Sequence, residues 1–595
     1  MFEGLWFFVK FGWKSDRRYI LFNFFGQLLT SLTPLVAVTM PKLIIDELMG
    51  HGRVHMLALY VTILAGLYLL TGIGSNFFAM HSFTLRCKVA ADFGLMMHKK
   101  LADADFENLE DPSFLDLKKK ADRFLYGDWH GFSYVLDSAM GILGKLFTLA
   151  GAVAILSGLD AWTVLLVAIF AFPSAAVEAW AKKSEQKLAV EQIRVERRWQ
   201  YFGSLFESFK YGKEIRIHSL GDWLLSHEGA YMNKVMEYYR RRNGFYIRSG
   251  TFSALLQTFL HVLAYAYLIG RVLAGAITIG DFTMYIGAVL ALSGAMKGML
   301  TDGVEIKAYG IYYGAMRDYI NIPSRLRTGK SEISPGGHRI EFKDVSFRYV
   351  GQNDYALYGI NIVIAPGEKL AVVGENGAGK TTFVKLLTRL YDPSEGEIML
   401  DGVNIRDVDY EKYMSLLSAV FQDYQLFSFS LKENVSLSQA SDEGKIKSVL
   451  RRVGLGGKIG SLPREIDTAV YRDFDESGFE PSGGEGQKIA LARALYKDTP
   501  IVILDEPTAA LDPRAEYEMY QHFNELVKNK TAVYISHRLS AARLCDKIAV
   551  FQRGRIVEYG THEELIGQNG AYKELYDMQA RYYKESPKDE GGGIR

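Results

Sequence analysis

The chain has 595 residues, 49% of them hydrophobic and 23% charged, and its 69 lysines and arginines against 68 aspartates and glutamates leave a net charge of +1. That length exceeds one domain, the apolar content excludes a disordered chain, and the neutral balance speaks against a nucleic-acid binder, whose domains carry a basic excess. Cys87 and Cys545, one in each half, allow no disulfide framework and read as two reduced thiols.

Apolar residues crowd the first half, while Gly, Asp and Glu punctuate the second. At the start, Phe2, Trp6, Phe7, Phe8, Phe11 and Trp13 alternate with Glu3, Lys10 and Lys14. This is no uninterrupted signal core, and it predicts a helix lying in the membrane interface over residues 1–17. Six stretches then have the roughly 20 mostly apolar residues that cross a bilayer core of about 30 Å: Ile20 to Leu48, Met56 to Met80, Tyr134 to Gly158, Trp162 to Ala181, Phe252 to Ala274 and Phe282 to Asp302. Pro34, Pro41 and Pro173 are compatible with this, because neighbouring helices satisfy freed backbone groups in lipid.

Lys and Arg gather before the first span (Lys10, Lys14, Arg17, Arg18), between the second and third, and between the fourth and fifth. The other loops are nearly free of positive charge, so both termini are expected in the cytosol. The two basic loops, Ser82 to Ser133 and Lys182 to Tyr246, are too long for turns and helical on both flanks. Arms of about 25 residues would carry them some 35–40 Å beyond the membrane. Two polar stripes at helical spacing, Gln257–His261–Tyr265 and Lys297–Thr301–Glu305, read either as a water-accessible substrate path or as interhelical hydrogen bonding with Lys297 snorkelling.

The membrane domain is expected over residues 18–315, a linker over 316–338, a nucleotide-binding domain over 339–580 and a flexible tail over 581–595. After the short apolar strand Lys369 to Val373 comes Gly374, Glu375, Asn376, Gly377, Ala378, Gly379, Lys380, Thr381, followed by Thr382. This is the pattern G-x-x-x-x-G-K-[ST]. Its glycines let backbone N–H groups wrap phosphates, Lys380 supplies a point charge, the Thr381 hydroxyl suits Mg²⁺, and a helix beginning near Lys380 turns its positive end to the anion. A second apolar strand, Ile501 to Leu504, ends in Asp505 and Glu506. There Asp505 would hold Mg²⁺ through water and Glu506 would act as general base on the attacking water.

These motifs together resemble the ATP-binding cassette transporters, in particular the exporter-type half-transporter whose membrane domain precedes its ATPase, and the resemblance covers nearly the whole chain. It implies an all-α six-helix transmembrane domain forming a domain-swapped dimer, then an α/β ATPase with a helical subdomain. Tyr349 resembles the aromatic residue that stacks on adenine, and Gln422, in Val420-Phe421-Gln422-Asp423, the glutamine that touches Mg²⁺ and senses the membrane domain. Ser482-Gly483-Gly484 resembles the family signature, Asp512 the acidic residue of the subunit-facing loop, His537 the switch histidine at the γ-phosphate, and Glu476-Ser477-Gly478 the segment that feels the cytosolic loops. Independently, a small hydroxyl and two glycines before the helix Glu485 to Leu495 offer free N–H groups to a second anion. In the family, that anion is the nucleotide bound by another chain, so the site is completed by dimerisation.

Three residues depart from the pattern: Pro481 stands for the usual leucine, Glu485 for glutamine, and Gly486 places a flexible residue in the first helical turn. Glu485 would repel phosphate if aimed inward, which bears on turnover and dimer affinity. In the membrane half, Asn108 to Leu117 resembles the first coupling helix, and Lys213-Glu214-Ile215-Arg216, running to Trp223, the second.

The resemblance implies a homodimeric, ATP- and Mg²⁺-dependent exporter embedded in lipid, multi-pass in a bacterial cell membrane with its ATPase cytosolic, moving a peptide or amphipathic cargo and binding no nucleic acid. A heterodimer, a lipid or lipid-linked glycan flippase, and an importer on the same fold stay open. An ATP-gated channel or regulator would lack coupled turnover, and a soluble ATPase would lack the spans.

Overall fold

The computed structural model describes residues 2–126, 131–159, 161–327, 329–333, 336, 338–438, 440–506, 527, 529–536 and 539–584. It forms two compact units, one of Met1–Ala102 with Ser113–Ile322, the other of Asp103–Pro112 with Pro323–Arg595.

The helices up to the ATPase are α1 (Phe2–Ser15), α2 (Arg17–Met49), α3 (Val54–Ala102), α4 (Phe106–Glu110), α5 (Pro112–Tyr126), α6 (Gly131–Leu156), α7 (Ala161–Glu207), α8 (Gly212–Ile217), α9 (Gly221–Leu273) and α10 (Ile279–Asn321). Six of them, α2, α3, α6, α7, α9 and α10, are long and apolar enough to cross a membrane. Each of the six expected spans lies in one of these helices, only Gly158 and Ala274 falling a residue or two beyond its end, but the helices themselves continue well past the expected ends in α3, α7, α9 and α10. Several helices run far past hydrocarbon: the 53 residues of α9 extend about 80 Å at 1.5 Å per residue, against a bilayer core of about 30 Å. The helical flanks expected of the two basic loops are thus continuous with α3, α7 and α9.

In this unit α2 packs on α3, α7 on α9, and α10 on α2, α6 and α7. The shared core contains Val38, Ala152, Leu156, Val167, Leu260, Ala264, Tyr285 and Leu292. Small residues bring the backbones close, as in membrane bundles generally: a Cβ on Gly144 of α6 would stand 3.0 Å from the Gln27 carbonyl oxygen of α2. Leu69, Leu70 and Ile73 of α3 and Leu255, Phe259 and Val262 of α9 are exposed, which lipid tolerates and water does not. Amphipathic α1 turns Phe8 into the unit, against Phe93 and Tyr313, and leaves Trp6 exposed.

The stripe Lys297–Thr301–Glu305 of α10 faces α7. Lys297 pairs with Glu178 at 2.8 Å, the Thr301 hydroxyl donates to the same carboxylate at 3.1 Å, and Lys182 pairs with Glu305 at 3.1 Å. The interhelical reading therefore holds for this stripe, and Glu178, Lys182, Thr301 and Glu305 border a cavity of about 280 Å³ with Tyr246 and Ser249. In the other stripe, the Tyr265 ring leans on Phe282, centroids 5.9 Å apart.

The second unit has a four-stranded antiparallel sheet, order β2-β1-β4-β5, built from β1 (Ile340–Phe347), β2 (Leu357–Ile364), β4 (Glu395–Leu400) and β5 (Val403–Asn404). Beside it lies a six-stranded sheet, order β10-β9-β3-β8-β7-β6, from β3 (Lys369–Gly374), β6 (Leu417–Val420), β7 (Ile501–Asp505), β8 (Thr531–Ile535), β9 (Lys547–Gln552) and the antiparallel edge β10 (Arg555–Gly560). β7 and β8 are buried at every residue, so they read as apolar runs without alternation, as parallel strands covered on both faces do. A helical part contains α13 (Leu431–Ser436), α14 (Glu443–Arg452), α15 (Gly456–Ser461) and α16 (Gly483–Lys497), after α11 (Lys380–Leu387) and α12 (Tyr410–Ser415). It closes around Leu431, Val435, Ile446, Leu450, Ile489 and Leu495.

Two internal anchors stand out. Arg389 is fully buried and donates to the carbonyls of Val408 (2.9 Å), Arg406 (3.0 Å) and Leu326 (2.9 Å). Residues 103–112, which leave and re-enter the membrane unit in sequence, belong to the ATPase unit. There Glu110 accepts from the Tyr391 hydroxyl and pairs with Lys385 at 3.1 Å, Phe106 packs on Tyr391, and Asp105 accepts from the Arg325 N–H at 2.7 Å. The expected first coupling helix, Asn108 to Leu117, is broken: Asp111 is extended (φ −84°, ψ 116°) because Pro112 follows, and α5 begins at that proline. The expected second one is also two pieces, α8 and the start of α9, separated at Ser219, whose φ is +51°.

Candidate functional site

The carboxyl ends of β3 and β7 open on one crevice, where ligands bind in sheets of this kind. The loop from Gly374 to Gly379 leaves β3 and feeds α11. Gly379, at φ +105°, could carry no side chain: a Cβ there would stand 2.6 Å from the Leu357 side chain and 3.0 Å from the Ala356 carbonyl oxygen. Glu375, Asn376 and Gly377 are exposed, Ala378 is buried, and Thr381 is exposed in the first turn of α11. Lys380 is buried and curls back to donate to the carbonyls of Gly374 and Glu375, both at 2.8 Å. Burial lowers its pKa, against the attraction of Glu506 and Asp505. It is an ammonium held in the loop's own carbonyls, ready to exchange them for a stronger anion.

At the end of β7, Asp505 is buried and Glu506 is half-buried in the left-handed region at φ +47°, a conformation that clusters at functional sites because the surroundings must enforce it. The Glu506 N–H donates to the Ile535 carbonyl (3.0 Å), its carbonyl accepts from the Gln487 side chain (3.2 Å), and its carboxylate accepts from the Gln422 amide (2.9 Å). Gln422 and Glu506, 84 residues apart, thus meet directly. Burial, then the charge of Glu506, push the Asp505 carboxyl up to about 6, with Lys380 opposing. Thr381, Gln422 and Asp505 offer a hydroxyl, an amide oxygen and a carboxylate, a set of hard oxygen donors that suits Mg²⁺. An Asp505 carboxylate that ionises with difficulty beside Glu506 fits a site completed by a cation.

The sign of that shift yields a test on the protein without nucleotide. Asp505 titrates higher folded than unfolded, so its burden is absent below pH 4 and grows as pH rises through about 6. Asp505→Asn is expected to remove it, stabilising the ATPase unit at pH 7 by on the order of 3 kcal/mol while flattening stability between pH 4 and 6. Thermal unfolding of the purified variant across that range measures it; identical pH profiles for variant and parent would refute it.

Tyr349 lies at the edge of the crevice, its hydroxyl 3.1 Å from that of buried Thr382 and its ring edge-on to Tyr391. Ser482 caps α16: its hydroxyl accepts from the Glu485 N–H (3.3 Å), and the Glu485 carboxylate accepts from the Ser482 N–H (2.9 Å). Glu485 also pairs with Lys458 at 3.0 Å. Burial would raise its pKa, but the Ser482 N–H and Lys458 outweigh it and hold the carboxyl below its ordinary range. The carboxylate that could have faced a phosphate is committed to its own helix end. Asp512 and His537 lie outside the described residues. Gln487 escaped sequence reading, although it stands five residues after Ser482 on the same helix.

Residues 357–509 match the ABC transporter family. A lipid A-core flippase of Methylobacillus flagellatus is 31% identical over 447 residues, 74% of each chain. The chain belongs to the ABC transporters. A further relative of this transporter, the subtilin transport ATP-binding protein SpaT of Bacillus subtilis, is 29% identical over 580 residues, covering 93% of this chain and 90% of SpaT. Among solved structures, a bacterial Atm1-family ABC exporter with ATP bound superposes with a TM-score of 0.82 over 95% of this chain and 99% of its own, at 21% identity. The transporter therefore has the exporter-type fold: six apolar helices, then an α/β ABC ATPase domain, in a multi-pass membrane protein with bacterial relatives.

Proposed function

We propose that the transporter is a homodimeric exporter in a bacterial cytoplasmic membrane, with both termini and the ATPase in the cytosol, driven by hydrolysis of ATP. The observation that carries the reading is the Gln422–Glu506 hydrogen bond at 2.9 Å beside the phosphate loop: a carboxylate held in place by a side chain that neither donates nor removes its charge is arranged as a general base. In the reaction, Lys380 releases the Gly374 and Glu375 carbonyls to bind phosphate oxygens, while the loop N–H groups cradle the rest of the anion. Tyr349 receives the adenine. Glu506 takes the proton of the attacking water, and Gln422 keeps the carboxylate aimed. Mg²⁺, held by Thr381, Asp505 and Gln422, would neutralise charge on the phosphates. Ser482 to Gly484 of a second copy close on the terminal phosphate, and the resemblance assigns Asp512 to the loop facing that copy and His537 to the γ-phosphate, where it acts with Glu506 in hydrolysis. Closure selects the state that binds ATP on both sides, which is all that ligand-driven switching of the membrane units requires.

For the cargo we infer a peptide or other amphipathic molecule, because likeness to a subtilin transport protein extends over 90% of that relative, membrane helices included. A lipid cargo is the second reading, supported by the flippase relative. Proteoliposomes with the ATPase facing outward separate them. Amphipathic peptides are expected to stimulate ATP turnover and to accumulate in the lumen in an ATP-dependent manner. Stimulation by lipid A-type or glycan-linked lipids alone would establish the second reading, and ATP-driven loss of preloaded cargo would reverse the direction.

A further inference from the structure

Tyr424 stands two residues beyond Gln422, and the chemistry above leaves it unused. Its hydroxyl donates to the Gly483 carbonyl at 2.9 Å. That carbonyl shares one planar peptide unit with the Gly484 N–H, and the N–H groups in the first turn of a helix point outward, unpaired, past its N-terminus. A hydrogen bond onto the oxygen therefore fixes the plane of the unit and polarises the donor at its other side. The same contact explains Gly486, the flexible residue in a helical turn that stands out in the sequence. A Cβ there would lie 2.7 Å from the Tyr424 hydroxyl and 3.3 Å from the ring, so a side chain would expel the tyrosine from its seat. The Gly486 N–H still donates to the Ser482 carbonyl at 2.8 Å, and the helix loses nothing of its first turn. The N-terminus of α16 is thus braced twice, by Glu485 through Ser482 and by Tyr424 through Gly483.

We propose that Tyr424 is a positioning residue that locks the signature turn to the segment carrying Gln422, in a notch that Gly486 leaves open. It touches no nucleotide itself; it aims the 483–484 peptide at the terminal phosphate and makes the signature turn follow Gln422 without slack. This rests on the proposed closure of Ser482 to Gly484 on nucleotide held by a second copy.

The test uses the full chain in lipid nanodiscs, with Tyr424→Phe, Gly486→Ala, their combination, and Ser482→Ala as reference. Tyr424→Phe keeps the ring and removes the hydroxyl, and is expected to raise the KM for ATP about fivefold, the effect of one hydrogen bond, with a smaller change in kcat. The inhibition constant of ADP, which lacks the terminal phosphate, should stay within about twofold, a split that general loosening of the fold would not give. Gly486→Ala should raise KM in the same way, yet add little in the Tyr424→Phe background, where the hydroxyl in its path is gone. An unchanged KM in Tyr424→Phe, an equal shift for ADP, or additive effects in the double variant would overturn the proposal while Ser482→Ala still raised KM. No effect of Ser482→Ala would bring down the closure reading, and the role of Tyr424 with it.

Discussion

Replacement of Glu506 by Gln is expected to lower the rate of ATP turnover by about 10²–10⁴-fold, the range for removal of a general base, while ATP still binds. The amide has nearly the shape of the carboxylate and keeps an oxygen for the Gln422 Nε2 donor that now lies 2.9 Å from Glu506. What it loses is the lone capacity that matters, acceptance of a proton from water. Phosphate release from the full chain in nanodiscs measures the rate, and equilibrium binding of a fluorescent ATP analogue shows that the cradle around Lys380 survives. Turnover within about tenfold of the parent would remove Glu506 from the role of base and leave its hydrogen bond with Gln422 as a structural contact.

The largest loss of stability is expected from Arg389→Met. The side chain fits the volume but leaves three carbonyls, those of Val408, Arg406 and Leu326, without their donor in a site sealed from water. Leaving a buried acceptor without its donor costs about 1–3 kcal/mol, so three such carbonyls amount to a large part of the 5–15 kcal/mol that holds a domain folded. Arg389→Lys should recover only a fraction, since an ammonium cannot reach three carbonyls in the geometry of a planar guanidinium. All seven tryptophans lie at or before Trp223, so their fluorescence is blind to this unit. Denaturant-dependent loss of nucleotide binding, or protease sensitivity of the ATPase, is the measurement, and a midpoint equal to the parent's would show that the carbonyls find other donors.

What could be read from the sequence follows from how local each signal is. The phosphate loop is contiguous, so eight residues from Gly374 to Thr381 state their chemistry alone, and the spans announce themselves by length and hydropathy. Gln422 and Glu506 are 84 residues apart, and no spacing rule joins them; only the resemblance did, before the geometry brought them together. The stripe of Lys297, Thr301 and Glu305 was visible, but its partners Glu178 and Lys182 lie on another helix and depend on how α7 and α10 pack. Arg389 gave no signal, because arginine is rarely buried and its acceptors are backbone carbonyls without side-chain identity. The break before Pro112 is legible in principle, since the residue ahead of a proline avoids helical angles, yet the resemblance alone reads Asn108 to Leu117 as one helix across it.

The allegiance of residues 103–112 bears on how relatives of this transporter are recombined. A hybrid that joins one parent's membrane half to another's ATPase at Pro323 separates Glu110 from the Tyr391 and Lys385 it binds, and Asp105 from the backbone it ties down. Grafting the decapeptide along with the donor catalytic half, as a second splice inside the acceptor's first long loop, keeps those matched surfaces together. Gene fusions and excised fragments that respect sequence order alone cut through a single folded body.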